Sequence, residues 1–119
     1  MTERIAFQVA GVSFRPGYPD NLLRLHDIEQ SQPLPGEGTV AVLERDPNNP
    51  HDPNAVKVMV PALGDDGHVG FVPKDLAPEV GTLIEAGYRL LAEISTRVHP
   101  DHPDRPGADV KVLVGSAEP

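Results

Sequence analysis

The residues able to do chemistry gather in two proline-rich stretches, DPNNPHDPN at positions 46–54 and HPDHPD at 99–104. In the first, Pro47, Pro50 and Pro53 fix φ and bias each preceding residue away from helix, while Asp46, Asn48, Asn49, Asp52 and Asn54 can bond to nearby backbone. A loop constrained this densely is held in one shape, and rigid loops on strands are where binding residues are placed. The second stretch has the residue types of a divalent-metal site in His99, Asp101 and His102. Its prolines prevent helical presentation of the histidine pair and no cysteine supports the set, so a solvated loop is the commoner explanation. Asp65-Asp66-Gly67 has the composition of a calcium-loop fragment, but the later acidic ligand is missing at the required spacing, and a turn is expected. No Gly-x-Ser-x-Gly element, phosphate-cradling glycine loop or nucleophile motif occurs, so no catalytic residue and no cofactor are expected.

The elements that must position these residues follow from periodicity. TVAVLER and AVKVMV flank the 46–54 loop, which predicts a strand, a rigid polar turn and a second strand. Ile5 to Phe14 alternates, with Ile5, Phe7 and Val9 on one side and Ala6, Gln8 and Ala10 on the other; Gly11 interrupts it, and Val12 to Phe14 is expected to resume the strand with changed facing. RPGYPDN signals a turn, and Leu22, Leu25 and Ile28 predict a short helix over Asn21 to Glu29. Ser31 to Gly38 is a surface spacer and Pro61 to Asp66 a second turn. Gly67 to Val72 reads as a short strand and is followed by Pro73 at a helix entry. Leu76, Val80, Leu83 and Ile84 share one helical face that Gly87 terminates, with an irregular first turn at Pro78. Tyr88 to Val98 and Asp109 to Gly115 predict two closing strands, with 99–107 as an exposed loop between them. About six strands joined by turns exclude a parallel α/β sheet. A mainly β, small antiparallel and partly closed barrel with one or two short helices is expected.

At 119 residues with 39% hydrophobic side chains, the chain suits a single domain, residues 1–119 with a core about 5–115. It has no cysteine, which suits a reducing cytoplasm. No run reaches membrane-spanning length and the first residues lack the apolar core of a signal peptide, so a cytoplasmic protein without membrane contact is expected. The formal charge of -8 opposes general affinity for phosphate backbones. Any basic surface must be assembled from scattered residues such as Arg15, Lys74 and Arg97.

Three pieces in order, VAGVSF, ERDPNNPHDPNAVKV and HVGFVPKDLAPEVGTLIEAG, resemble the HIRAN domain. This is the small module at the front of helicase-like transcription factor and related DNA-repair ATPases, found also alone in bacteria. The resemblance spans roughly Ile5 to Ile94. It implies a compact β-barrel reminiscent of oligonucleotide-binding folds, here in a stand-alone form, and a partner in single-stranded DNA, with a DNA-processing ATPase or another protein as a further partner.

The resemblance also implies site residues, position by position. Where a family member gripping DNA ends has an Arg-Tyr pair after the first strand's Gly, this chain has Ser13 and Phe14. The aromatic survives and the cation does not, leaving Phe14 as either a base-stacking group or a core phenylalanine, with Arg15 one place on as a substitute cation. Where the family has an Asn and then a Tyr-Asp pair, with the carboxylate accepting from a free 3′-hydroxyl, the chain has Asn49, His51 and Asp52. An ionised carboxylate is acceptor-only and rewards a hydroxyl donor, although Asp52 can equally cap its own turn, and the two roles can coexist. His51 keeps a planar ring. The family's phosphate-touching His and Lys correspond to Phe71, which is no donor, and Lys74, which is retained.

The reading that results is a non-enzymatic module recognising single-stranded DNA at its free 3′-hydroxyl end through Phe14, Arg15, Asn49, His51, Asp52, Phe71 and Lys74. A protein-interaction domain that keeps the barrel without DNA binding is the alternative. A divalent-metal-dependent hydrolase using the histidine and aspartate loops is the weaker third.

Overall fold

The computed structural model describes residues 3–31, 38–65 and 67–117; most of the Ser31 to Gly38 spacer, and Asp66 of the Asp65-Asp66-Gly67 turn, lie outside the described residues. Strand β1 (Glu3–Gln8) leads through a 3-10 turn (Val12–Phe14) into helix α1 (Gly17–Gln30). Strands β2 (Thr39–Arg45), β3 (Val56–Met59) and β4 (His68–Phe71) follow, with a 3-10 turn (Pro61–Leu63) between the last two. Helix α2 (Ala77–Glu85) and strands β5 (Tyr88–His99) and β6 (His102–Ala117) complete the chain.

All pairings are antiparallel in one six-stranded sheet of order β1-β6-β5-β2-β3-β4. Its two ends curl together. Beyond β1, Ala10 donates its N–H to the Phe71 carbonyl at 2.8 Å, and the Phe71 N–H returns to the Ala10 carbonyl at 2.9 Å. This single bridge joins the first strand's continuation to the last strand in the order, which makes the sheet a mainly β, partly closed barrel as expected.

The alternation in β1 is as the sequence predicts, with Phe7 and Val9 buried and Ala6 and Gln8 exposed. The core is built largely of valine, including Val56, Val58, Val60, Val69, Val110 and Val112, which suits pleated, inward-facing positions. Each such side chain contributes roughly 1.5–3 kcal/mol relative to exposure. Helix α1 closes the core with Tyr18, Leu22 and Leu25 and packs against β4, β5 and β6. Asn21 Nδ2 donates to the His68 carbonyl at 2.8 Å and Arg24 to that of Leu63 at 3.2 Å. At the helix's other end, the Glu29 carboxylate accepts the Thr96 N–H at 3.0 Å and the Thr96 hydroxyl.

Four expectations are corrected. Val12–Phe14 is a 3-10 turn, because Gly11 takes φ 70 and the Phe14 N–H bonds back to the Gly11 carbonyl. Helix α1 starts at Gly17, four residues before the expected Asn21, and absorbs the supposed turn. Pro16 and Pro19 fall in a first turn whose amides have no intrahelical acceptor, so they do not break it. Pro78 likewise sits in the first turn of α2. Finally, 99–107 is not a loop but a paired arm, with His99 opposite His102 and Arg97 opposite Gly107. Pro103 and Pro106 are tolerated because on that side of β6 the bonds stop at Ala108, whose carbonyl takes the Val9 N–H, and among the described residues the edge before it is unpaired.

Candidate nucleic-acid interface

At the base of the 46–54 loop, the Asp46 N–H donates to the Ala55 carbonyl at 2.9 Å and continues the β2–β3 ladder. Beyond that pair, side chains supply the acceptors. Asn49 Oδ1 takes the N–H groups of His51 and Asp52 at 2.9 and 3.1 Å, and its Nδ2 donates to Asp46 Oδ2 at 3.1 Å. Asp52 Oδ1 takes the Asn54 N–H at 2.9 Å, and the Ala55 N–H reaches the Asp52 carbonyl at 3.0 Å. The loop is thus two consecutive side-chain-closed turns, with prolines where no amide donor is needed. Asn49 is consumed by this architecture. Asp52 spends one carboxylate oxygen on it and keeps Oδ2 free of any hydrogen bond among the described residues. His51 is exposed.

Phe14 and Phe71 meet around Gly11. A β-carbon at Gly11 would lie 2.8 Å from the Phe14 ring and 3.3 Å from the Phe71 ring, so a side chain there would displace the exposed Phe14 ring, and φ 70 favours glycine as well. Phe14 is 75% exposed, which decides against a core phenylalanine: about three quarters of its surface is open to a stacking partner. Phe71 continues inward into an aromatic cluster. Its ring stands 4.9 Å from that of His68 and 6.1 Å from that of Tyr18, with His68 and Tyr18 4.5 Å apart.

Charge converges on the same cluster. The Arg15 guanidinium lies 6.0 Å from the Tyr18 ring, and Lys57 is the cross-strand neighbour of Phe71. Burial pushes the His68 pKa down, with Lys57 and Arg15 adding to the shift and the Gly70 carbonyl and Asp46 opposing it. His68 Nε2 lies 2.8 Å from the Gly70 carbonyl, the geometry of a neutral ring donating from Nε2. Burial also pushes the Tyr18 hydroxyl up, opposed by Arg15 and assisted by Asp46. Ala55 closes the loop's base on Asp46, and two residues later Lys57 pairs with Phe71, so the loop's base and the aromatic cluster share one end of the barrel. Tyr18 is 4% exposed and its buried hydroxyl has no hydrogen-bond partner among the described residues.

The structure therefore gathers Phe14, Arg15 and Phe71 into one cluster, and Asn49, His51 and Asp52 into one loop beside it. Lys74 is exposed in the turn after β4, and among the described residues no hydrogen bond or ion pair ties it or the His51 ring to the cluster. Sequence reasoning missed Tyr18, His68 and Lys57. The first was hidden in an apparent turn, and the other two carry no local signal, since cross-strand register alone places Lys57 beside Phe71. His99 and His102 stand at the tip of the β5–β6 hairpin with rings 5.7 Å apart, and His99 Nδ1 accepts the Asp101 N–H at 3.1 Å. Among the described residues, no three histidine or acidic side chains are arranged to hold a metal ion. No helix among them is long and apolar enough to cross a membrane.

The family model for the HIRAN domain matches residues 3–113. No curated protein sequence matches the chain. Among solved structures, the crystal structure of a protein from Lactobacillus plantarum superposes with a TM-score of 0.60 at 18% identity, covering 96% of this chain and 99% of that one. The crystal structure of the HIRAN domain of human HLTF gives a TM-score of 0.54 at 16% identity, covering 95% of this chain and 77% of that one. At such identities both similarities speak for the fold alone.

Proposed function

The chain belongs to the HIRAN domain family, a family of DNA-binding modules, and from that premise we propose that it captures the free 3′-hydroxyl end of single-stranded DNA in the cytoplasm, without catalytic chemistry of its own. The observation that carries this reading is the exposed Phe14 ring, which flanks Gly11 together with Phe71. Exposed aromatics are sequence-tolerant platforms for unpaired bases, each worth roughly 1–3 kcal/mol. Arg15 takes the place of the cation that the family carries at Ser13, with Lys57 and Lys74 supplying further phosphate contacts. Asp52, with one carboxylate oxygen uncommitted, accepts the terminal hydroxyl, and His51 stacks at the loop's tip. Asn49 acts by shaping the loop. A DNA-processing ATPase is the proposed protein partner.

Titrating a labelled oligonucleotide at low salt, with a free or a phosphorylated 3′ end, tests this. Asp52→Ala is expected to weaken binding to the free end by ~1.5–3 kcal/mol, the range for a hydrogen bond to a charged group. Wild type is expected to discriminate strongly against the phosphorylated end. Asp52→Asn keeps the acceptor for the Asn54 N–H and removes the charge, which separates loop integrity from recognition. Equal affinity of wild type for both ends would leave Asp52 as a turn residue only.

A second reading, a protein-interaction domain without DNA binding, is favoured by the net charge of -8 and the serine at position 13. Absence of binding even at very low salt would select it.

A further inference from the structure

Six large apolar side chains are exposed among the described residues, and apart from Phe14 they all lie on β2, β5 and β6: Val40, Val42, Tyr88, Leu91 and Leu113. Register explains four of them. Ala41 pairs with Ala92 and Ala92 with Val112, all three buried toward the core. Strand alternation therefore sends Val40, Val42, Leu91 and Leu113 to the sheet's outer face. Leu91 stands opposite Leu113, and Leu113 opposite Arg4 of β1. The β2–β5 pairing ends at Ala41–Ala92, and Val42 pairs with Met59 of β3, so the paired apolar row is Leu91 and Leu113, with Val40 opposite Glu93 beside it.

The charges around this row are sorted by strand. Arg4 and Lys111 stand on the β1–β6 side, Glu93 and Glu44 on the β5–β2 side, with Lys57 of β3 opposite Glu44, and the first four are exposed. None of the four makes an ion pair among the described residues, although Lys111 and Glu93 are opposite in register. Arg97 and Asp109, farther along the face, neutralise each other at 2.7 Å, and Arg89 is already engaged.

From this arrangement we propose that the outer face of β1, β6, β5 and β2 is the interface of a symmetric homodimer. The occupant is a second copy because the face is complementary to itself. Two such sheets related by a two-fold axis parallel to the strands set the cationic half of each on the anionic half of the other. Leu113 then meets the other copy's Leu91, and Lys111 its Glu93. A two-fold across the strands would oppose like charges. Four strands about 4.8 Å apart and three outward-facing rows about 6.8 Å apart give a face of roughly 400 Å² per copy. That lies at the small end for specific association, so the dimer is weak and concentration-dependent. The proposal does not rest on the DNA reading, and the two surfaces adjoin where Glu44 pairs with Lys57.

Sedimentation velocity of the 119-residue chain from about 1 to about 500 μM tests it. The apparent mass is expected to rise with concentration from 12.8 kDa toward twice that value. Leu91→Asp, at an exposed position that leaves the core intact, is expected to abolish the rise while the melting temperature is retained. Lys111→Glu and Glu93→Lys should each weaken self-association at least tenfold, and an equimolar mixture of the two should regain dimer, because both cross-copy contacts then pair opposite charges. Each variant carries like charges at its own 93–111 pair in the mixture as well as alone, so an effect within one copy cannot produce the rescue. A wild type monomeric at about 500 μM, a dimer that survives Leu91→Asp, or a mixture that stays monomeric would each overturn the proposal.

Discussion

Ala10 and Phe71 exchange both backbone hydrogen bonds, at 2.8 and 2.9 Å, and through that one pair the two ends of the six-stranded order meet. The bridge closes the barrel and, in the same act, brings the Phe71 ring against Gly11 and Phe14. Fold and candidate site thus share a single tether.

The approach depends on glycine on both sides. A β-carbon at Gly70 would lie 2.5 Å from Val9 Cγ1 and 2.6 Å from the Ala10 carbonyl oxygen, at φ 151. Gly70→Ala is therefore expected to destabilise by ~2–3 kcal/mol, as overpacking does. Gly11→Ala meets the mobile Phe14 ring instead of backbone, and should cost ~1–2 kcal/mol of left-handed backbone strain while impairing DNA binding disproportionately. Gly64→Ala, at φ 89 with nothing within 4 Å, is the control for backbone strain alone. Denaturant midpoints of the three variants rank them; equal losses at Gly64 and Gly70 would refute the closure argument.

Tyr18 carries a buried hydroxyl with no partner among the described residues, and an unsatisfied buried polar group costs about 1–3 kcal/mol. Tyr18→Phe is expected to raise the unfolding free energy, by up to about 1 kcal/mol, with an unchanged denaturant slope. If bound DNA recruits that hydroxyl, the same variant binds more weakly although it is more stable. A loss of stability would mean that the hydroxyl is satisfied in solution.

The lowered His68 pKa has a definite sign in stability. Above the ordinary value of 6.5 the ring is neutral in both folded and unfolded chains and contributes no pH dependence. As the pH falls through 6.5 the unfolded chain takes up the proton first, so stability declines until the folded-state pKa is passed. His68→Gln, which can still donate toward the Gly70 carbonyl, should show a shallower decline between pH 7.5 and 5.5 in chemical denaturation. Parallel curves for the two proteins would count against burial as the cause.

Few cations flank the proposed strand path. With about two or three phosphate contacts from Arg15, Lys57 and Lys74, the slope of log affinity against log salt for single strands should be roughly -1.5 to -2. Arg15→Ala should make it shallower by about 0.7. A slope steeper than about -4 would indicate a basic groove that these three residues do not form.

The sequence by itself determined what local chemistry determines. Alternation in β1 set which of its side chains face inward, the apolar runs TVAVLER and AVKVMV marked β2 and β3, and the Asp, Asn and Pro pattern of 46–54 specified a turn closed by its own side chains, as Asn49 and Asp52 close it. The HIRAN resemblance was equally legible, because its three pieces are contiguous words. What only the tertiary structure decided is where segments distant in the chain meet. Prolines 16 and 19 read as breakers until the helix start placed them where no amide bond was required, and prolines 103 and 106 read as a loop until β6 was found with a free edge there. Phe14 could be core or surface until the Gly11 turn swung it out. Tyr18, His68 and Lys57 joined the site only when the sheet closed, because cross-strand register and the Ala10–Phe71 bridge are long-range pairings that no stretch of sequence carries alone.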